Sequence, residues 1–573
     1  MKQYNRTLAE FLLQEVLHVE ELFAYEYYNA HDLETTKMTL DIAAELAEKH
    51  LDEAFVASDR NEPQLLNGKV KVHPNLKNFI KENAETGLMA ATSPFEYNGQ
   101  QLPKMVYGAA NYFLTSTHNA FVMYSDLTHG CIEMILEFGN EFLKKKVLPK
   151  LLNGEWLGTM CLTEPQAGSS LSEISTVAVQ NQDGTYKIKG QKIFISAGDH
   201  DVTENIIHLV LARIEGAPKG SKGISLFAVP KQRINSAESN DVKSIGIFHK
   251  MGQKATPAMH LAFGEQDNCI GFLLGEVNKG LPQMFKMMNS ARLGVGLNGI
   301  SIASAAYNLS LQYAKERIQG KTDRTSKEQC KIIEHADVKR MLLMQKSVVE
   351  GGLCLLFRCY KYLDLAKVSD SKNFGELAEL LTPVAKTFGA EMGIQATNQG
   401  MQVLGGYGYT NDFRLEQLVR DVRISSIYEG TTGIHSLAIM GREIIKENGA
   451  SLHLWKKEVE LSIKKARTKG WMQTYANKLE LACTEFFDTT LKLLDLLKKG
   501  KTKEYLADAT IYMELFSILT IAWQWLDIAF AAKNEDPNDY FSYENTLKYY
   551  YKYELSKASY LNKVLLNEDK VTV

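Results

Sequence analysis

The chain has 573 residues, of which 45% are hydrophobic and 23% charged. That is the balance of a folded protein with more than one domain, and it excludes a disordered one. The formal net charge of -3 gives neither nucleic acid nor an anionic membrane an electrostatic reason to bind.

The opening MKQYNRTLAEFLLQEVLHVEEL has acids interrupting its apolar residues. No signal peptide or transit peptide is expected from it, and residues 1–34 read as a helical extension. Residues 35–159 read as an N-terminal helical domain, with Leu40, Ala43, Ala44, Ala47 and Leu51 at helical spacing after Asp32. The lysine run at 144–146 is a solvated helix face.

The texture changes near residue 160. Asp183-Gly184 stands between alternating segments and predicts a hairpin. The runs KIFIS (192–196), IIHLVLARI (206–214), GISLFAVP (223–230) and MHLAFG (259–264) follow, punctuated by Gly, Pro and Asp. They predict a compact antiparallel β domain over 160–276. From Leu281 the helical period returns through Phe285, Met288, Leu297, Ile300, Ala303 and Tyr307. Residues 281–445 are therefore expected to form a four-helix-type bundle. A polar break at Lys446-Glu-Asn-Gly-Ala sets off an extra helical domain, 450–573, whose TLKYYYKYELSKASYLNKV reads as a packing face. No window of ~18 uncharged apolar residues appears, so no membrane span is expected.

The fold class is thus α+β and mostly α, in the order α, β, α, α. That is not the βαβ alternation of a dinucleotide fold. Gly294-Val-Gly296-Leu-Asn-Gly299 matches G-x-G-x-x-G, but a helical pattern precedes it instead of a strand. Glycines that let helices approach closely explain it better. His200 in GDHD sits beside two acids, yet paired Cys/His spacings are absent, so a surface turn and no metal are expected. The seven cysteines, Cys131, Cys161, Cys269, Cys330, Cys354, Cys359 and Cys483, include no C-x-x-C pair. Free, mostly buried thiols in a reducing compartment follow, and a cytoplasmic location.

Two stretches carry the chemistry. Cys161-Leu-Thr-Glu-Pro-Gln-Ala-Gly-Ser-Ser170 places hydroxyls and bare backbone in a stiffened loop that can donate to an oxygen-rich planar ligand or a phosphate. Ile427–Ser436, IYEGTTGIHS, puts a lone carboxylate, Glu429, among small and hydroxyl residues. It is either a helix first-turn acid or a base facing a pocket.

The ordered series GTMCLTEPQAGSSLS, the DG hairpin, GQKIFISAGDHD, FKMMNSARLGVGLNGI, YAKERIQGK, GMQVLGGYGYT and RDVRISSIYEGTTGIH resembles the acyl-CoA dehydrogenase family. The likeness is to its long, C-terminally extended bacterial branch, and it is close over about residues 35–445. The resemblance implies FAD held between the β domain and the helical bundle. Leu162 and Thr163 would touch the isoalloxazine ring, with Phe194 and Ser196 lining its other side. Arg317 would grip the cofactor diphosphate, usually across a subunit interface. Gln402, Gly405 and Gly406 would let diphosphate and adenosine approach the backbone, with Thr431 and His435 as further cofactor contacts. Ser169, Arg292, Tyr428 and Gly430 would lie on the acyl-CoA side. Glu429 would be the catalytic base, taking the α-proton of the thioester while a hydride leaves for the flavin and trans-2-enoyl-CoA forms. The position used by some branches for an alternative base is Ala291, which cannot ionise. The resemblance further implies fatty acid β-oxidation, an electron-transfer flavoprotein as electron acceptor and a homodimer. An oxygen-using acyl-CoA oxidase and a non-catalytic acyl-CoA- or flavin-binding assembly protein are the alternatives. The chain departs from the family pattern at Ser170, Asn289 and His435, where an acid, an acid and a glutamine are usual.

Overall fold

The computed structural model describes residues 2–236, 238–323, 325, 327–533 and 539–573. The chain divides into two compact units. One comprises residues 37–102 and 117–294, the other residues 1–36, 103–116 and 295–573.

After a short helix at Arg6–Phe11, the helical N-terminal region continues with α1 (Leu33–Leu46). The Asp32 carboxylate accepts from the Thr35 N–H at 2.8 Å and stops the fraying of its first turn. All five residues predicted to face inward, Leu40, Ala43, Ala44, Ala47 and Leu51, are buried. α2 (Asn75–Glu85) buries Leu76, Phe79, Ile80 and Asn83 on one stripe. α3 (Lys104–Phe138) follows, with its backbone leaving helical geometry at His118.

Apart from a short antiparallel pair, Gln64–Leu66 with Lys69–Lys71, the β strands are β1 (Trp156–Cys161), β2 (Val177–Gln180), β3 (Tyr186–Ser196), β4 (Asn205–Ile214), β5 (Ile224–Pro230), β6 (Val242–Phe248), β7 (Ala258–Phe263) and β8 (Ile270–Leu274). Their order is β8-β5-β4-β2-β3-β7-β6, and β8 also pairs with β3, closing part of the sheet on itself. Val210, Ala212, Phe227, Val229, Ile188 and Met259 fill the interior. The predicted DG hairpin joins β2 to β3, with Gly184 at φ +83°. The expectation of a purely antiparallel domain needs one correction. β1 and β2 both run parallel to β4. Parallel neighbours require a long crossover rather than a hairpin, and the chain has room for one between β1 and β4. The GDHD expectation is also corrected. Asp199 and His200 are buried, because Asp199 is held by Lys231 and Ser244 and the His200 ring packs against Tyr124 of α3.

In the other unit, α4 (Gly280–Glu316) contributes its second part to a bundle with α5 (Ala336–Val368) and α6 (Asn373–Leu404). Of the residues predicted for the buried face of α4, Leu297, Ile300, Ala303 and Tyr307 are buried, as is Met288, but Phe285 is 40% exposed. The glycine run lies mid-helix. A Cβ on Gly299 would come within 2.1 Å of the Gly389 carbonyl oxygen, and one on Gly389 within 2.3 Å of that of Gly296. Close helix approach is therefore what these glycines serve. α7 (Leu415–Val422) and α8 (Thr432–Ala438) come next. The longer C-terminal helices are α9 (Ala450–Ala466), α10 (Gln473–Lys498), α11 (Ala509–Ala531), α12 (Tyr543–Tyr553) and α13 (Lys557–Leu565).

α11 is long and apolar enough to cross a membrane, but 83% of its most apolar window is buried inside the protein. It packs on α5, where the Trp525 indole donates to the Ser347 carbonyl at 2.9 Å and Arg358 meets Asp527 at 2.7 Å. Tyr549, Tyr550 and Tyr551 of α12 are buried, as expected of a packing face. The N-terminal extension is tied to α5 through Tyr28, whose hydroxyl donates to buried Asp364 at 2.9 Å. All seven cysteines are free, and six are buried.

Candidate functional site

In the helical unit, the turn between α7 and α8 bends through two successive left-handed residues, Glu429 at φ +53° and Gly430 at φ +93°. A side chain in that region is strained by about 1–2 kcal/mol, so something must hold it there. Three elements do. From α8, the His435 Nε2–H donates to the Glu429 carbonyl at 3.0 Å. From α6, the buried Lys386 ammonium donates to the Gly430 carbonyl at 2.7 Å. From α4, the Asn298 amide donates to the Tyr428 hydroxyl at 3.0 Å. A Cβ on Gly430 would lie 2.8 Å from His435 Nε2, so glycine is required there on two counts.

α8 starts at Thr432, with the Thr431 hydroxyl accepting from the Ile434 N–H at 3.3 Å as its cap. Glu429 therefore lies before the cap and is no first-turn acid, and that alternative is corrected. Its side chain is half-buried. Thr431 and His435 were expected to touch a cofactor. Here the first caps a helix, and the second is buried with its ring on the Glu429 peptide. Ala291 lies within α4.

Elsewhere in this unit, Gly405 at φ +60° ends α6, and Gln402, Gly405 and Gly406 are exposed. A Cβ at either glycine would meet nothing within 4 Å, so this backbone is open to a ligand. Arg317 follows α4 and is exposed.

The other unit carries the TEPQAGS loop, which links β1 to β2. Glu164 is 2% exposed and Lys192, on β3, is 0% exposed. Lys192 donates to Glu164 at 2.8 Å and to the Leu162 carbonyl at 3.1 Å. Thr176 and Ser175 also donate to Glu164. Burial alone would raise the Glu164 pKa, but the Lys192 charge and these donors outweigh it and hold the carboxylate at about 2.

The Ile193 N–H donates to the Thr163 carbonyl at 3.0 Å. Just beyond, a bulge breaks the β3–β7 register between Lys192 and Ile195. Phe194 takes φ +58° in that bulge and is 58% exposed, tilted against Phe248 with ring centroids 4.6 Å apart. Bulges re-aim single side chains in this way. Leu162, Thr163 and Ser196 are half-buried, and Ser169 is exposed. Arg292 donates to Asn289 at 3.0 Å and stands over the Phe285 ring.

The structure thus brings Tyr428, Glu429, Gly430 and Thr431 into one turn with His435 of α8 against it, and sets Leu162, Thr163, Phe194 and Ser196 along one loop and strand. The sequence reading missed Lys386, Asn298 and the Glu164–Lys192 pair. Glu164 lay inside the quoted motif, and its lysine partner was within KIFIS, but nothing in the spacing joins them. Among the described residues no group of three or more His, Cys, Asp or Glu could hold a metal ion.

Comparison with known proteins gives a consistent picture. Models of the N-terminal, middle and C-terminal domains of acyl-CoA dehydrogenase match residues 34–155, 159–265 and 278–445. An acetyl-CoA dehydrogenase C-terminal-like model matches residues 455–573. The chain is 34% identical over 535 residues to 3-methylmercaptopropionyl-CoA dehydrogenase of Ruegeria pomeroyi, covering 92% of this chain and 90% of that one. It is 34% identical over 506 residues to the broad-specificity linear acyl-CoA dehydrogenase FadE5 of Mycobacterium tuberculosis, covering 85% and 82%. A crystal structure of an acyl-CoA dehydrogenase complexed with FAD from Bacillus anthracis shares the fold. Its TM-score is 0.76 at 22% identity, over 93% of this chain and 88% of that one.

Proposed function

The chain belongs to the acyl-CoA dehydrogenase family, and on that premise we propose that Glu429 is the base by which it converts an acyl-CoA thioester to the trans-2-enoyl-CoA. It is an oxidoreductase with FAD as its cofactor. When bound, FAD supplies the two-electron acceptor for the β-hydrogen.

The residues present fit that cofactor. Phe194 offers an exposed aromatic face, and Thr163 and Ser196 offer partly exposed hydroxyls. Leu162 and Thr163 lie on a loop whose carbonyls are fixed by Lys192 and Ile193. Gly405 and Gly406 present unshielded backbone, Gln402 an amide and Arg317 an exposed cation for a diphosphate.

The observation that carries the assignment is the turn at Glu429. A carboxylate in water is a weak base for a thioester α-proton, so geometry must supply much of the effect. Glu429 sits outside any helix, on a backbone pinned by His435, Lys386 and Asn298 through its own and its neighbours' groups. That arrangement fixes where the carboxylate starts. Desolvation by bound substrate would raise its proton affinity toward neutral pH. The Glu429 carboxylate takes the α-proton as the β-hydrogen leaves with its electron pair, and later releases that proton to solvent. Tyr428 and Gly430 flank it on the substrate side, with Ser169 and Arg292 assigned to the CoA portion. An electron-transfer flavoprotein is the proposed acceptor that returns the enzyme to its oxidised form, in a homodimeric enzyme of fatty acid β-oxidation.

The test is anaerobic bleaching of the yellow protein by a panel of acyl-CoAs from short to long, methylthiopropionyl-CoA included. Bleaching by at least one member is expected. A preparation that cannot be loaded with FAD, or that no acyl-CoA reduces, overturns the reading. Peroxide formed at full rate without an added acceptor would mark an oxidase instead.

A further inference from the structure

α4 carries three polar side chains at three-residue intervals, Asn298, Ser301 and Ser304, all buried. Residues three apart lie on one side of a helix. Both ends of this row meet a tyrosine hydroxyl. Asn298 donates to Tyr428, the neighbour of Glu429, at 3.0 Å, and Ser304 meets Tyr112 at 2.7 Å. Between these fixed ends the Ser301 hydroxyl and the Asn298 carbonyl oxygen have no partner. Ser301 is 0% exposed. Thr115, one turn beyond Tyr112 on α3, is 5% exposed and its hydroxyl is also unpartnered.

Helical serines and threonines usually satisfy themselves on a carbonyl one turn back. In this chain Thr382, Thr397 and Thr490 do so, each at 2.7–2.8 Å. Ser301 and Thr115 do not. A buried polar group left unmatched weakens the fold, and this row, running out from the residue beside Glu429, is placed to meet a ligand with matching groups.

We propose that this row is an acyl-recognition site for an acyl-CoA whose acyl chain bears a neutral hydrogen-bonding group, a hydroxyl or carbonyl, a few carbons beyond Cβ. The reading rests on the assignment of Glu429 as the base. Asn298, Ser301 and Thr115 bring no charge, which favours a neutral group over a carboxylate. Three residues of helix rise about 4.5 Å, so Ser301 stands several bond lengths farther along than Asn298. A purely alkyl chain would leave the row unsatisfied, whereas a correctly placed hydroxyl would both donate and accept.

The experiment compares kcat/KM for a short-chain series of ω-hydroxyacyl-CoAs with the isosteric series in which methyl replaces hydroxyl, using the FAD-loaded full-length protein. At least one hydroxy member is expected to exceed its methyl isostere by about 10- to 100-fold, the effect of one or two matched buried groups. Ser301→Ala and Thr115→Val are expected to shrink that ratio while turnover of the methyl series persists or rises. If the methyl member is preferred at every length, buried water alone satisfies the row and the proposal is overturned, with Glu429 chemistry intact. If an ω-carboxyl analogue outruns every neutral one, the neutral assignment is overturned. If neither series reduces the flavin while another acyl-CoA of the short-to-long panel does, the site falls and the dehydrogenase reading stands; if no acyl-CoA reduces it, that reading falls as well.

Discussion

His435 Nε2 donates a 3.0 Å hydrogen bond to the main-chain carbonyl of Glu429, six residues earlier in the chain. The side chain that departs from the family's usual glutamine therefore props the backbone of the proposed base. An amide N–H can make the same bond, so the glutamine that the family resemblance implies here could support the same carbonyl. A consequence is that removal of the ring acts on the base's position.

His435→Ala is expected to lower kcat by about 10- to 100-fold, as a misplaced group near the chemistry does, with flavin content little changed. His435→Gln should recover most of the rate. Steady-state kinetics beside flavin absorbance per protein separates the outcomes. Loss of flavin from His435→Ala, with normal turnover in reloaded enzyme, would make His435 a cofactor contact and not a support of the base.

Glu429→Gln keeps size and hydrogen bonding but cannot take a proton at neutral pH. The variant should remain yellow and lose anaerobic bleaching by acyl-CoA by at least ~10²- to 10⁴-fold, the range for one positioned base. Stopped-flow absorbance checks it, and a wild-type bleaching rate would remove Glu429 from the role.

Lys192 and Glu164 form a buried ion pair under the loop that carries Leu162 and Thr163. Breaking it leaves one charge buried alone, which costs about 3–5 kcal/mol. Lys192→Met should therefore lower the denaturation midpoint sharply, and Lys192→Met with Glu164→Gln should regain part of the loss. Glu164 has its folded pKa depressed to about 2 from 4.5, so its contribution is present above pH 4.5 and fades as the pH falls toward 2. Denaturant melts across that window should show wild type losing stability faster than the double variant.

Gly389 and Gly294 both lie in helices but differ in what a methyl group would meet. Gly389→Ala drives a Cβ within 2.3 Å of a carbonyl oxygen on the neighbouring helix, whereas one on Gly294 meets nothing within 4 Å. The first should destabilise by about 1–3 kcal/mol or more. The second should be neutral or stabilising by about 0.5–1 kcal/mol, the ordinary preference of a helix for Ala over Gly. Thermal melts of the two variants check the contrast.

Arg317→Ala removes an exposed cation assigned to the cofactor diphosphate. A lower flavin-to-protein ratio, restored by excess FAD, is expected. An unchanged ratio through dialysis would withdraw that assignment.

The sequence by itself determined the order of helical and β regions, because period and turn residues are local properties. It determined that the Gly294–Gly299 run is helical, from the pattern around it. It also singled out Glu429 and the TEPQAGS loop, since chemistry-bearing residue types stand in a recognisable series. What only the tertiary structure decided is whatever depends on partners far apart in the chain. The parallel pairing of β1 and β2 with β4 needs a crossover that no local pattern records. The burial of His200 follows from its packing against Tyr124, 76 positions earlier on α3. Lys386 reaches Gly430 across 44 positions and Asn298 reaches Tyr428 across 130, so neither could be paired with the base by spacing. His435 was legible as an unusual residue, yet its target was not. A left-handed turn bends the chain back on itself, and that bend brings the His435 ring onto a peptide group that no spacing pairs it with.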